Sequence, residues 1–274
     1  MIVIRTCSYN VRYDSPPDAR LPGEEPWDVR RDRVLERIRE LAPDLVGVQE
    51  AVAHQFEDLE RGLEEDGYEW YGVGRRDGNR AGEFVPLGWR RDRFEALETG
   101  AFWLSETPDK PSVGWDGDLP RVATWGLLRD RETGTRLWAC SVHFDHRGRR
   151  ARLEAAQVVT ARADQWLRGG ERSAGDEPGP GADAAIVLGD CNCQPGSPPY
   201  RALLTGGLED AREIAGTVRG PRETVHAFDG RLDRRIDYVF TSPGTTVDRY
   251  CTLEPRADGY ASDHVPVCAV VRPR

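Results

Sequence analysis

Side chains able to do acid–base, amide or metal chemistry sit where apolar runs end: Asn10, Glu50, His143, Asp190, Asn192, Asp237, Asp263 and His264. A short apolar run bounded by turn residues reads as a buried strand whose last residues deliver polar groups into a cleft. The clearest case is Ala184-Ala185-Ile186-Val187-Leu188 running into Gly189-Asp190-Cys191-Asn192. Asp190 and Asn192 lie two apart, so an extended chain points them the same way. One is a charge and proton acceptor; the other is an amide that can donate to an oxyanion. A turn that merely needs Gly, Asp and Asn would look alike in isolation, and recurrence at other strand ends is what argues for a site. In Leu45-Val46-Gly47-Val48-Gln49-Glu50 a carboxylate follows a core-type run directly. Its charge is costly there unless partnered, and a metal is one such partner, although a strand that simply surfaces would also explain Glu50.

The elements that must hold these groups alternate along the chain. A strand over 2–7 leads to Asn10, and a proline-rich loop follows. Residues 27–41 carry Val34, Leu35, Ile38 and Leu41 at helical spacing among arginines and glutamates, an amphipathic helix that Pro43 ends. The strand ending at Glu50 precedes a helix over 52–65 and a strand over 68–74. Shorter alternating patterns over 83–90 and 93–101 suggest antiparallel strands. The stretches 102–108 and 113–121 read as tryptophan-bearing loops, which wall a binding site or cap the core edge. A hairpin over 122–129 and 135–144 delivers His143 and His146. A helix over 149–167 places Leu153, Ala156, Val159, Ala163 and Leu167 on one face. Residues 169–183, rich in Gly, Pro, Ser and acid, form a flexible surface loop. A short helix over 198–205 follows, then a strand over 234–240 containing Asp237, with 247–253 pairing beside it, and a last strand over 268–271. No repeat or internal boundary interrupts this order, so 1–274 reads as one domain.

Composition narrows the class. The chain has 274 residues, 38% hydrophobic and 31% charged, which suits one large globular unit. No apolar run approaches the roughly 18 residues of a membrane span, and the start reads as a strand rather than a signal peptide. The cysteines Cys7, Cys140, Cys191, Cys193, Cys251 and Cys268 lack disulfide-scaffold spacing and mostly lie in strand-like runs, as expected for reduced thiols of a cytoplasmic protein. A net charge of -9 repels phosphate backbones at long range, which argues against nonspecific duplex binding but leaves room for a local electropositive pocket.

Taken in order, Ser8-Tyr9-Asn10, Val48-Gln49-Glu50, Val142-His143-Phe144-Asp145-His146, Leu188-Gly189-Asp190-Cys191-Asn192, Arg235-Ile236-Asp237-Tyr238 and Ser262-Asp263-His264-Val265-Pro266 resemble the motif series of the endonuclease/exonuclease/phosphatase family. The resemblance spans essentially the whole chain. It implies a deoxyribonuclease I-like fold: a four-layer α/β sandwich of two mainly antiparallel sheets packed face to face with outer helices. Phe102-Trp103-Leu104-Ser105 and His143-Phe144-Asp145-His146-Arg147-Gly148 also resemble a bacterial branch of undefined substrate.

The chemistry that follows is hydrolysis of a phosphate ester by direct attack of water, since nothing marks a covalent nucleophile. Glu50 is the candidate ligand for Mg²⁺, or for Mn²⁺, with Asn10 and Asp263 completing the shell. His264 activates water or holds the phosphate, and Asp237 fixes its tautomer unless it merely pairs with Arg235. His143 and Asn192 donate to non-bridging oxygens. Asp190 either orients the nucleophile or is an alternative base. Arg121, His146, His226 and Trp115 are candidate substrate contacts; Arg121 and His226 could equally be structural.

Two departures from the family pattern stand out. Cys191 and Cys193 flank Asn192, but strand alternation turns Cys191 away from Asp190, which disfavours a zinc site. Arg12 replaces an acid common near the metal in exonuclease III-like members, which disfavours DNA repair. The expected substrate is small or single-stranded and nucleotide-like, with no membrane, no protein partner and a monomeric chain. The competing readings are a silent scaffold, a duplex endonuclease and a phospholipid phosphodiesterase.

Overall fold

The computed structural model describes residues 3–169, 181–256 and 259–273. Strands β1 (Ile4–Asn10), β2 (Leu45–Gln49), β3 (Tyr68–Tyr71), β4 (Leu87–Arg90), β5 (Phe94–Trp103), β6 (Val122–Asp130), β7 (Arg136–His143), β8 (Ala184–Asp190), β9 (Glu209–Asp210), β10 (Thr217–Arg219), β11 (Asp237–Thr241), β12 (Thr246–Thr252) and β13 (Val267–Arg272) divide between two sheets. The helices are α1 (Trp27–Leu41), α2 (Ala53–Gly62), α3 (Arg149–Leu167), α4 (Pro198–Thr205) and α5 (Ala211–Ile214). The 7-stranded sheet runs β10-β12-β13-β1-β2-β4-β3, and the 6-stranded sheet runs β5-β6-β7-β8-β11-β9. Antiparallel pairs dominate both; the parallel ones are β1–β2, β10–β12 and β7–β8.

Period-2 alternation explains the layering. In β7, Leu137 and Ala139 face the other sheet, whereas Trp138, Cys140 and Val142 face α3 and α4. In β8, Ile186 and Leu188 point inward while Ala185 and Val187 point to the helices. On the opposite side Cys7, Tyr9, Val46 and Val48 pack against Val34, Leu35 and Ile38 of α1 and Phe56 and Leu59 of α2. The central strands β2, β8 and β11 are therefore buried at every position, because both of their faces are covered. This is the expected helix–sheet–sheet–helix sandwich. No helix among the described residues is long and apolar enough to cross a membrane.

Three expectations are corrected. The strand after Asp237 does not pair with its successor: β11 lies between β8 and β9, while β12 joins β10 and β13 in the other sheet. β11 is buried along its length and β12 is half exposed, so residues 242–245 carry the chain from a central position in one sheet to the other instead of closing a hairpin. Phe102 and Trp103 belong to β5, not to a loop. The packing face of α3 is built from Ala151, Ala155, Ala156, Val159, Ala163 and Trp166, with Leu153 and Leu167 at its margin, because small residues allow the helix closer approach to the sheet. The loop expected over 169–183 falls mostly outside the described residues.

The topology brings the chemistry to one end. Because β1–β2 and β7–β8 are parallel, Asn10 ends beside Gln49, and His143 ends beside Asp190. β11 starts at that same end, with Asp237 opposite Asp190. The buried Arg30 of α1 ties the emerging loops together, donating to the carbonyls of Val11 at 2.8 Å and Ala261 at 2.7 Å.

Beneath this end the sheets touch at Gly47, where an added Cβ would lie 2.8 Å from Leu188 Cβ and 2.9 Å from Ser141 Oγ, both on the facing sheet. Gly47→Ala is accordingly expected to cost about 1–3 kcal/mol by overpacking, read by urea denaturation. A variant as stable as the parent would show that the seam is looser than described.

Candidate active site

Three of the strands that reach this end, β1, β2 and β8, lead into a residue with a left-handed backbone. Arg12, Glu50 and Asn192 all have left-handed backbones, with φ of 57°, 66° and 45°. That conformation is uncommon for residues other than glycine and collects where function requires it. The side chains converge on a cavity of about 500 Å³, lined by Glu50, His143, Asp190, Asn192, Asp263 and His264 and flanked by Arg12, Arg75, Arg121 and Arg234.

Asn10 lies at the centre of the carboxylates. Its amide Nδ2 donates to Glu50 Oε1 and to Asp190 Oδ2, both at 3.0 Å, and its Oδ1 accepts from the Arg12 backbone N–H at 2.9 Å. Glu50 Oε2 accepts from the Tyr13 N–H at 3.2 Å and stands 3.9 Å from the Arg12 guanidinium. Burial raises the Glu50 pKa, but Arg12 and Asn10 outweigh it and hold the carboxyl below its usual range. Asp190 has less compensation: burial, then Asp237, push it up to about 7.

The pair expected from sequence forms. His264 Nδ1 lies 2.8 Å from Asp237 Oδ2, and its Nε2 faces Asp190 at 3.9 Å. Burial disfavours the imidazolium, yet Asp237, Asp263 and Asp190 together raise its pKa to about 10. His264 is thus a cation at neutral pH. The rival pairing of Asp237 with Arg235 does not form, because Arg235 donates to Asp210 at 2.8 and 2.7 Å instead. His143 is the opposite case: burial, with Arg121 and Arg75 nearby, drives its pKa well below the ordinary value and keeps it neutral. Its Nδ1 is buried without a hydrogen-bond partner. Buried polar atoms are seldom left unpaired, so this one suits a ligand.

Could these residues hold a divalent cation? Ligand atoms of Glu50, His143 and Asp190 lie within 4.8 Å of one another, as do those of Asp190, Asp237 and His264. Asp263 joins neither group, although Glu50 and Asp263 feel each other's charge; burial, then Glu50, raises the Asp263 pKa against the pull of His264. Hard oxygen donors crowded until they resist ionisation are what a divalent cation relieves. No cysteine enters either group among the described residues; Cys191 and Cys193 pack into the core under α4.

The remaining candidates separate. Arg121 lines the cavity, with Nη2 2.9 Å from His146 Nδ1 and Nε 3.6 Å from the Asp145 carboxylate, and its Nη1 is buried without a hydrogen bond. His146 lines it as well. His226 does not: it is buried behind His264 against Tyr260, with ring centroids 4.8 Å apart. Trp115 lies outside the lining too, its backbone N–H donating to Glu106 at 3.1 Å. Asn192 turns its amide to the Phe144 carbonyl at 3.0 Å while still lining the cavity. Sequence reasoning missed Glu83 and Arg75, joined at 2.6 Å. Burial, then Glu50, raise the Glu83 pKa to about 7. Both residues flank a polar, glycine-bearing segment that reads as an ordinary turn, so no local signal marks them.

A sandwich with this cluster at one end has close relatives. The family model described as Endonuclease/Exonuclease/phosphatase family matches residues 7–264. The structure is similar to an endonuclease/exonuclease/phosphatase from Bacteroides vulgatus (34% identity, 100% of each chain covered, TM-score 0.87). It is also similar to a mannosyl-6-phosphatase of Bacteroides thetaiotaomicron (32% identity, covering 98% of this chain and 99% of that one, TM-score 0.86). An uncharacterized protein of Acanthamoeba polyphaga mimivirus is 27% identical over 124 residues, which is 43% of this chain and 46% of that protein, so the match spans less than half of this curated relative. The chain belongs to the endonuclease/exonuclease/phosphatase family, whose members are hydrolases of phosphate-ester bonds.

The raised His264 pKa has a measurable consequence. Its folded-state value of about 10 exceeds the ordinary 6.5, so the stabilisation is complete below pH 6.5 and is lost as pH rises through 10. In metal-free buffer, the Tm gap between the wild type and His264→Gln should be widest near or below pH 6.5 and narrow toward pH 10. A gap independent of pH would contradict the charged state assigned to His264.

Proposed function

We propose that this protein is a divalent-metal-dependent phosphoesterase that hydrolyses a small, soluble phosphate ester by direct attack of water. The observation that carries this reading is the 2.8 Å Asp237–His264 pair facing Asp190 and Glu50 across an arginine-flanked cavity. A silent scaffold would have no use for several buried carboxylates at one strand edge, each costly to ionise.

Glu50, Asp190 and His143, with Asp263 nearby, are the residues that would hold Mg²⁺ or Mn²⁺. When bound, the ion supplies charge neutralisation at the phosphoryl and leaving oxygens. The chain's own groups do the rest. The His264 imidazolium, held at Nδ1 by Asp237, donates from Nε2 to a phosphoryl oxygen. Asp190, which faces His264 Nε2 at 3.9 Å, orients the attacking water and takes its proton. Neutral His143 and the buried Arg121 donate to the remaining oxygens. The new bond joins water oxygen to phosphorus, the bond to the leaving oxygen breaks, and the leaving oxygen takes one proton from solvent to become an alcohol, matching the proton that Asp190 accepted and returns to solvent.

The walls favour a polyol or sugar ester over a nucleotide. Bases stack on aromatic rings, yet among the described residues Tyr13 is the one phenolic or indole ring lining the cavity, and the Arg12 guanidinium already lies 4.5 Å from its centroid. The similarity to a mannosyl-6-phosphatase agrees with this preference. The free thiols suit a reducing, cytoplasmic setting.

Release of inorganic phosphate from a panel of sugar phosphates, polyol phosphates, nucleotides and oligonucleotides, with Mg²⁺, Mn²⁺ or EDTA, tests the reading. Metal-dependent release from the sugar or polyol esters is expected; activity on the oligonucleotides alone, or activity indifferent to EDTA, would overturn it.

Two variants sharpen the roles. Glu50→Gln should keep the fold and lose most metal-dependent activity, together with metal affinity measured by calorimetry. Asp237→Asn and His264→Ala should each cost on the order of a hundredfold in kcat/KM, and the double variant far less than the product, because the pair acts as a unit. Strictly multiplicative losses would dissolve the dyad.

A further inference from the structure

A second cavity, of about 850 Å³, adjoins the first, and His146, Asn192, Arg234 and Ile236 line both. Among the described residues its walls carry Arg149, Arg150, Arg152 and Arg234 and no carboxylate, over a floor that includes Leu153 and Pro198. This is an unusual patch on a chain with 47 acidic against 38 basic residues.

The acids beside this end of α3 are taken up by its backbone N–H groups, and two of the four arginines keep a surface ion pair. Asp116 accepts from the backbone N–H groups of Ala151 at 2.7 Å and Arg150 at 3.2 Å. Asp145 accepts from those of Gly148 at 2.6 Å and Arg147 at 2.8 Å. Among the described residues Arg150 pairs with Glu154 alone, at 3.5 Å, and Arg234 with its neighbour Asp233 alone, at 3.2 Å. Arg152 donates to the Asp145 carbonyl at 2.8 Å, a neutral partner. Arg149 makes no ion pair among the described residues.

Position makes the placement harder to explain by folding. Arg149, Arg150 and Arg152 occupy the first turn of α3, which contains no acidic residue. The helix macrodipole is positive there and favours anions, so cations at that end work against the helix. A local rule broken without a folding benefit marks a functional position.

We infer that this pocket is a second anion subsite, so that the preferred substrate is a phosphate monoester whose alcohol portion carries another anionic group on a short carbon scaffold. The inference rests on the phosphoesterase reading above and specifies its substrate class. The phosphoryl group to be transferred sits among Glu50, Asp190 and His264. The scaffold crosses the shared wall at Asn192 and Ile236, lying on the apolar floor. The second anion, phosphate or carboxylate, meets Arg149, Arg152 and Arg234, whose planar guanidinium groups suit either anion.

Three probes on one scaffold decide this: glucose 6-phosphate, 6-phosphogluconate with a carboxylate at the far end, and glucose 1,6-bisphosphate. With Mg²⁺ or Mn²⁺, kcat/KM should be at least about tenfold higher for one or both two-anion probes than for glucose 6-phosphate, mainly through KM. Which of them wins distinguishes phosphate from carboxylate. In Arg149→Gln/Arg152→Gln that ratio should collapse toward unity, while the remote Arg219→Gln should leave it intact. Equal kcat/KM for all three, a ratio that survives the double variant, or a preference for a single-stranded oligonucleotide that depends on Arg149 would overturn the inference. If no probe is turned over, the phosphoesterase reading fails separately, and calorimetry takes over. Binding of glucose 1,6-bisphosphate that is lost in Arg149→Glu would still support the subsite, and absence of binding would overturn it.

Discussion

The arrangement depends on one electrostatic constraint: the buried Asp190, Asp237 and Asp263 and the half-buried Glu50 and Glu83 are brought close to one another. Carboxylates so placed repel and resist ionisation unless something compensates. Each compensation is visible. Arg12 and Asn10 hold Glu50 charged, Arg75 meets Glu83, and His264 carries a positive charge for Asp237 and Asp190. What is left over is the strain at Asp190 and Glu83, both raised to about 7, and it is this residue of uncompensated repulsion that a divalent cation would relieve.

The fold exists around that cluster in a literal sense. Two parallel pairs embedded in mainly antiparallel sheets send the ends of β1, β2, β7 and β8 to the same place, and the face-to-face packing at Gly47 and Leu188 brings the two sets within hydrogen-bond reach. Asn10 spans the sheets, donating to Glu50 from one and Asp190 from the other. Arg30, buried under the loops, satisfies carbonyls that would otherwise be stranded where β1 leaves its sheet. Packing and chemistry are therefore coupled: loosening the seam would move the ligands.

Much of this was legible in the sequence, and for a physical reason. Doubly covered strands read as largely apolar runs, so a polar residue at their ends stands out, most clearly Asp190 at the end of β8 and also Glu50 and His143. The helices over 27–41, 149–167 and 198–205 follow from their spacing and breakers and form at those bounds. What was not legible is relational. Nothing local says that 247–253 leaves the sheet of β11, because that choice is made by packing on β13. Glu83 and Arg75 look like turn residues until the fold buries Arg75 and half-buries Glu83 against it, and Trp115 looks like a binding-site wall, whereas Asp118, Leu119 and Arg121 of the same stretch line the cavity. His226 shares the polarity of the site residues, but only the fold reveals that it backs His264 from the far side. The protonation of His264 likewise comes from carboxylates distant in sequence.

The most direct test of the central claim is calorimetric titration of Mg²⁺ or Mn²⁺ into the metal-free protein at about pH 7, in two buffers of different ionisation enthalpy. Relief of crowded, partly protonated carboxylates requires saturable binding accompanied by proton release, with a parallel rise in Tm. Saturable binding without proton release, or no binding at all, would contradict the account.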